Sequence, residues 1–174
     1  MLGLVSEVLL GRYSLPVPKM KDCRLAKHEA GVWQEAQEMM ASLAPNGHRD
    51  EAYNTYILPR SRALVEATGH RMAYEAASIR GKCTPEVLAL FESICVMSDP
   101  SWYCECEGVS RKALLTHDSE AAEAVLPQLR TLLQETGAAP WTSAPILEQG
   151  NWDEFLQLLP AFKHTEVVPE KARL

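Results

Sequence analysis

Long apolar runs and the marks of a secreted protein are missing from this sequence. No apolar stretch approaches the ~20 residues that a membrane-spanning helix needs. The apolar opening is interrupted by Glu7 and has neither the basic region nor the cleavage site of a signal peptide. The 5 cysteines are an odd number without regular spacing, which suits a reducing compartment better than a disulfide scaffold. We therefore expect an intracellular protein with no membrane span.

Excess positive charge is also missing. The chain has 17 basic and 23 acidic residues and a net charge of −6, whereas nucleic-acid binding requires a basic surface that neutralises phosphates. Basic residues gather only around 19–28 and 60–62. Each cluster indicates a solvated helix face or, alternatively, a contact for an anionic ligand. The composition thus excludes nucleic acid as the expected partner.

Motifs of the common catalytic and metal sites are absent as well. The sequence has no glycine-rich phosphate loop, nucleophile elbow, HExxH helix or CxxC pair. Cys104 and Cys106 are separated by one residue, and His117 is the only imidazole near them. A structural zinc site needs more ligands at wider spacing. We therefore predict no metal site.

One group of polar residues remains as a candidate site. His70, Arg71, Tyr74 and Glu75 fall close together in one helical region. Residues three and four apart lie on the same face of a helix, so these side chains are neighbours. The group indicates either a functional polar site or a network that packs one helix against another.

Helical periodicity dominates the sequence, and no segment alternates convincingly with period two. The chain is 47% hydrophobic, which is enough for a sizeable core. Pro59 should break a helical region over about 50–80, and Pro127 should bend a long helix over about 118–136, because proline lacks a backbone donor and crowds the preceding turn. The pattern predicts an all-α fold.

Local signals refine this prediction. Thr84 followed by Pro85 predicts a helix start, and Asn151 and Glu154 have capping-box spacing. In the helix after Pro59 we expect one face to be buried, formed by Leu64, Thr68, Met72 and Ala76. In the long helix we expect burial of Val125, Leu129, Leu132 and Leu133. The predicted architecture is one helical bundle over 1–162 followed by a flexible tail over 163–174.

Several stretches of the chain occur in an order that has a counterpart among known proteins. They are Ser6–Tyr13, Leu58–Arg60, Val65–Ala77, Ser101–Tyr103, Ala144–Leu147 and the helix that contains Trp152 and Phe155. Together they resemble the C-terminal helical region of acyl-CoA oxidases and acyl-CoA dehydrogenase-like flavoproteins, the fungal ones especially. The resemblance implies a helical bundle like the C-terminal domain of that family.

The resemblance also implies a chemistry and its cofactor. In that family FAD oxidises an acyl-CoA to the 2-enoyl-CoA, and a glutamate removes the α-proton. That glutamate belongs to a Glu-Gly-Asp-like segment before the helix that matches 1–13, so we expect it to lie outside this chain. Glu7 does not match the catalytic position. No catalytic or cofactor-binding residue is carried over, and we expect FAD to bind only when further domains or a partner complete the site.

Two interpretations follow from the resemblance. The chain is either a shortened oxidase or dehydrogenase of a fatty-acyl or specialised-metabolite pathway, or a non-catalytic helical module. In the second case it dimerises or docks onto a related oxidase subunit, and acyl-CoA is bound only by the completed assembly. A helical protein of unrelated function is the third alternative, since a likeness in fold does not prove function.

The last three residues carry a targeting signal in both interpretations. Ala172, Arg173 and Leu174 match the small–basic–leucine form of the peroxisomal C-terminal signal. Because the family's oxidation chemistry is housed in peroxisomes, the resemblance and the tripeptide together predict a peroxisomal protein.

Overall fold

The computed structural model of the protein describes residues 2–43, 51–138, 141 and 144–160. Within these ranges all regular structure is helical and there is no strand, so the all-α prediction is confirmed. The α-helices are α1 (Leu2–Leu9), α2 (Arg24–Ser42), α3 (Ser61–Arg80), α4 (Pro85–Ser98), α5 (Pro100–Cys106), α6 (Arg111–Val125), α7 (Leu129–Glu135) and α8 (Gln149–Leu158). Shorter turns of other helical types span Tyr53–Ile57, Leu58–Arg60, Leu126–Gln128 and Pro145–Leu147.

Proline and glycine set the helix boundaries where the sequence predicts them. A π-helical turn and a 3-10 turn that contains Pro59 precede α3, and a second 3-10 turn at Pro127 separates α6 from α7. Both breaks are confirmed, because the proline ring excludes a regular backbone hydrogen bond. Gly81 ends α3 with a φ of 62°, a left-handed conformation that glycine adopts without a Cβ clash.

Of the two helix starts predicted from capping signals, one is confirmed and one is wrong. The Thr84 hydroxyl accepts a hydrogen bond from the Val87 amide at 3.4 Å, as expected of an N-cap. By contrast, α8 begins at Gln149, and Asn151 lies inside it rather than at its cap. The Trp152 amide already bonds the Glu148 carbonyl at 2.9 Å, so the first turn forms before the predicted capping box.

The chain divides into two compact units, residues 1–128 and 129–174. The first unit has a core between α1, α2, α3 and the turns that precede α3, formed by Val5, Val8, Trp33, Ala36, Tyr53, Ile57 and Leu64. A smaller apolar cluster joins α4, α5 and α6 through Val96, Tyr103 and Leu114. The single bundle over 1–162 stays a prediction, and the tail over 163–174, with Ala172, Arg173 and Leu174, lies outside the described residues.

The buried face of α3 differs from the predicted one. Leu64 and Thr68 are buried, but Met72 is 45% exposed, and Arg71 and Glu75 are buried in its place. Steps of four residues advance the face of a helix by about 40° beyond a full turn each time, so a stripe spaced by fours drifts away from its neighbour. The buried face of α3 is instead the face that packs against α2. The buried charges of Arg71 and Glu75 are tolerated because they are paired.

The apolar face of the predicted long helix is also partly wrong. Val125 is buried on α6, as expected, but Leu129 is 45% and Leu133 60% exposed on α7. A 3-10 turn over Leu126–Gln128 interrupts the α-helix between the two segments. It has three residues per turn, so the period of about 3.6 residues that the prediction assumes does not continue through it.

Candidate functional site

Arg71 is the most deeply buried cation of the described residues and crosses from α3 to α2. Its side chain is 2% exposed. Its Nε donates to Oε2 of Glu29 at 2.6 Å, and its Nη2 donates to Oε1 of the same carboxylate at 3.0 Å. This bidentate pairing is the strongest geometry that arginine and a carboxylate can form.

Glu75 extends the pairing to the loop before α2. The Arg71 Nη1 donates to Oε2 of Glu75 at 3.1 Å, while Oε1 of Glu75 accepts the backbone amides of Lys19 and Met20 at 2.8 and 2.9 Å. The Arg71 Nη2 also donates to the carbonyl oxygen of Pro16 at 2.9 Å. We call this set of bonds the Arg71 network. It holds α2, α3 and the 16–20 loop together.

Charge balance explains why the Arg71 network is stable although it contains two carboxylates and one guanidinium. Burial works against ionisation of Glu75, but the hydrogen bonds from the Met20 amide and from Arg71 outweigh it and lower its pKa. The hydrogen bonds of Glu29 in turn raise the pKa of Arg71 against its burial. The donors and acceptors of the Arg71 network are hydrogen-bonded to one another. This is the arrangement of a structural site rather than of a site that binds a substrate.

His28 lies next to Glu29 on α2 but belongs to a separate cluster. Its Nε2 is 3.2 Å from Oδ2 of Asp99, and because a carboxylate only accepts, Nε2 carries the proton. The imidazole stacks on Tyr103, with ring centroids 5.0 Å apart and planes at 26°, and meets Trp102 edge-on. We call the group of His28, Asp99, Trp102 and Tyr103 the aromatic clasp. It fixes α5 against α2.

Two buried donors of the aromatic clasp have no hydrogen-bond partner among the described residues. They are Nε1 of Trp102 and the hydroxyl of Tyr103, and burial, followed by the nearby charge of Glu107, raises the pKa of the Tyr103 hydroxyl. The Trp102 ring packs directly on Gly31, where an added Cβ would lie 2.9 Å from Nε1. The Trp102 ring therefore fills the space next to Gly31.

The two buried polar clusters described above do not provide a site for the cofactor that the resemblance implies. A flavin ring needs a cleft into which polar groups converge, whereas the Arg71 network is saturated and the clasp is tightly packed. A surface depression follows one face of α6, but the residues that line it come from that single helix: Arg111, Lys112, Leu115, Thr116, Ser119, Glu120 and Glu123. We assign no flavin-dependent step to these residues.

The four residues singled out from the sequence are not gathered into one site. Arg71 and Glu75 enter the Arg71 network, which is the packing alternative. His70 instead meets the ring of Phe91 edge-on, with centroids 6.4 Å apart. Tyr74 is half-buried, and that burial is the main cause of its raised pKa. A shared helical region therefore did not produce a shared polar site.

Other residues singled out from the sequence lie on the surface or in simple contacts. The side chain of Glu7 is 47% exposed, and its carboxylate lies 3.5 Å from the guanidinium of Arg12. In the basic cluster at 19–28, Arg24 pairs with Glu107 at 3.0 Å and His28 is buried, which leaves the lysines exposed. All five cysteines are free thiols, and burial raises the pKa of Cys95 to about 11. No group of three or more metal-ligating side chains occurs within the described ranges.

The sequence reasoning missed the partners of these groups. Glu29 received no role, His28 was counted only in the basic cluster at 19–28, and Asp99 was not linked to it. Asp99 is 71 residues from His28 in the chain. No local pattern links such distant positions.

Comparison with known proteins leaves the family of this chain open. No family model, curated protein or solved structure matches it. None of the described helices is both long enough and apolar enough to cross a membrane. The likeness to acyl-CoA oxidases thus rests on the stretches of this sequence alone.

Proposed function

We propose that this chain is a non-catalytic helical module of an acyl-CoA oxidase-like or dehydrogenase-like system. It docks onto a flavoprotein subunit, and that subunit binds FAD and oxidises the acyl-CoA to the 2-enoyl-CoA. The module contributes packing surface and no reacting group. This is the second of the two interpretations of the sequence, and the packing of the described side chains supports it.

One observation supports a role in architecture. The stretch Val65–Ala77 is the longest part of the resemblance, and its buried ionisable residues are Arg71 and Glu75. Both are held in the Arg71 network, with partners at 2.6 to 3.1 Å on every side. A general base must reach a proton of the substrate, and these groups reach only α2 and the 16–20 loop. The resembling helix therefore supports a role in architecture.

The proposal includes a location. The small–basic–leucine ending Ala172, Arg173 and Leu174 supports delivery to the peroxisome, where a receptor reads such tripeptides as an address. A docking module must be present in the compartment of the enzyme that it joins.

A binding measurement tests the proposal. The fluorescently labelled chain is titrated with the purified, FAD-loaded acyl-CoA oxidase-like flavoproteins encoded in the same genome, and anisotropy is recorded. We expect saturable binding to one of them, and no peroxide when the chain alone is given FAD and acyl-CoA. Failure to bind any of them, or peroxide formation by the chain alone, would contradict the proposal.

A further inference from the structure

The second unit has apolar helices without a core of their own. Neither α7 nor α8 contains a buried residue within the described part of 129–160. Large apolar side chains are exposed along this part of the chain, including Leu133 at 60%, Ile146 at 68% and Leu158 at 76%. Exposed apolar surface of this density marks an interaction site in a folded protein.

Helix α8 concentrates this surface into one stripe. Trp152, Phe155 and Leu156 are spaced three and one residues apart, which places them on one face of α8, and Leu159 follows directly after the last residue of the helix. Phe155, Leu156 and Leu159 are 39%, 46% and 48% exposed. The rings of Trp152 and Phe155 stack with centroids 5.4 Å apart, so the stripe presents a preformed aromatic pair.

The charges around the stripe indicate what covers it. From 131 to 162 the sequence has no lysine or arginine, but it contains Glu135, Glu148, Asp153 and Glu154. A second copy of this chain would bring the same uncompensated negative charge to the interface, which opposes self-association through this face. A basic partner surface would instead be attracted to it.

We infer that α8 is a docking helix whose stripe, Trp152, Phe155 and Leu156 with the adjoining Leu159, inserts into an apolar groove rimmed by basic residues on another protein. Helix-in-groove recognition uses anchors at these spacings. The inference rests on the proposed function, since the flavoprotein subunit supplies the groove. It adds which element of the chain makes the contact and the charge that the partner must carry.

The experiment uses the full chain and the FAD-loaded flavoprotein found to bind it. Phe155→Glu places one negative charge on the stripe, and Gln157→Glu places the same charge on the opposite, exposed face of α8. We expect Phe155→Glu to weaken binding by at least about tenfold, as for the central anchor of an interface, and Gln157→Glu by less than about twofold. Far-UV circular dichroism checks that both variants keep their helix content.

Charge reversal tests the basic rim separately. Asp153→Lys with Glu154→Lys should slow association several-fold and reduce its dependence on salt, because steering by opposite charges is lost.

Equal binding by Phe155→Glu and Gln157→Glu would overturn the inference while leaving the proposed function intact. Dimerisation of the wild-type chain alone that Phe155→Glu abolishes would also overturn it, since a second copy would then cover the stripe. No binding by the wild-type chain would instead count against the proposed function itself.

Discussion

Replacing Arg71 by Met should destabilise the first unit more than any other single substitution of an ionisable side chain on α3. The substitution keeps an unbranched side chain of similar length but removes the guanidinium that joins Glu29, Glu75 and the Pro16 carbonyl. Both carboxylates are only 4% exposed. They would remain buried without their cation, which is the costly half of a broken buried ion pair.

The geometry sets the expected magnitude. Breaking a buried pair by removing one partner costs about 3–5 kcal/mol, against a total free energy of unfolding of about 5–15 kcal/mol for a typical domain. Glu75 keeps the amides of Lys19 and Met20, so it is partly compensated. Glu29 has Arg71 as its hydrogen-bond donor and is left uncompensated. We therefore expect about 3 kcal/mol or more.

Urea unfolding followed by far-UV circular dichroism measures this free energy. Arg62→Met is the matched control, because Arg62 pairs with Glu66 on the same helix and at the same four-residue spacing, but with its side chain 82% exposed. Surface pairs of this kind contribute little, so the control should unfold like the wild type. Adding Glu29→Leu to Arg71→Met should recover part of the loss, since one stranded charge is removed.

Comparable urea midpoints for Arg71→Met and Arg62→Met would contradict this prediction. That result would mean that the Arg71 network contributes no more than a solvated surface pair. A loss in Arg71→Met that Glu29→Leu deepens would also contradict it, because the stranded carboxylate would then not be the cause.

Three further predictions concern packing, acid and targeting. Gly31→Ala should cost about 1–3 kcal/mol of unfolding free energy, because its Cβ meets the Trp102 ring, whereas Gly69→Ala, with open space at its Cβ, should stabilise α3 by up to about 1 kcal/mol; thermal unfolding compares the two. Since the pKa of Glu75 is lowered in the folded state, its contribution is complete above the ordinary glutamate pKa of about 4.3 and is lost as pH falls through the folded-state pKa. Glu75→Gln should therefore flatten the fall of stability in acid, and an unchanged pH profile would count against that assignment. Deleting 172–174 from a fluorescent fusion should move it from peroxisomes to the cytosol in live-cell imaging, and retention in peroxisomes would show that the tripeptide is not the signal.

Local chemistry made the helix boundaries predictable. Pro59, Gly81 and the Thr84 cap act through their own backbone or through a neighbour three residues away, so their effects can be read directly from the sequence. Asn151 shows the limit of such signals. A capping-box spacing is necessary for the motif, but α8 already begins at Gln149, directly after the extended residue Glu148.

Buried charge was the part that local reasoning could not predict. The sequence placed Arg71 and Glu75 near each other on one helix and left a packing network as one alternative, but it did not identify Glu29, which lies 42 residues away from Arg71. The aromatic clasp likewise depends on Asp99 reaching His28 across 71 residues. Periodicity identifies which positions share a face of one helix, but it does not identify the partner that neutralises them.

We propose that this chain supplies architecture and that its partner supplies the chemistry. The decisive measurement is an absorbance spectrum of the purified chain, incubated with FAD and then freed of unbound cofactor. We expect a colourless protein with an intact helical far-UV spectrum. A retained flavin band near ~450 nm at about one flavin per chain would contradict it, because the chain would then complete a flavin site by itself.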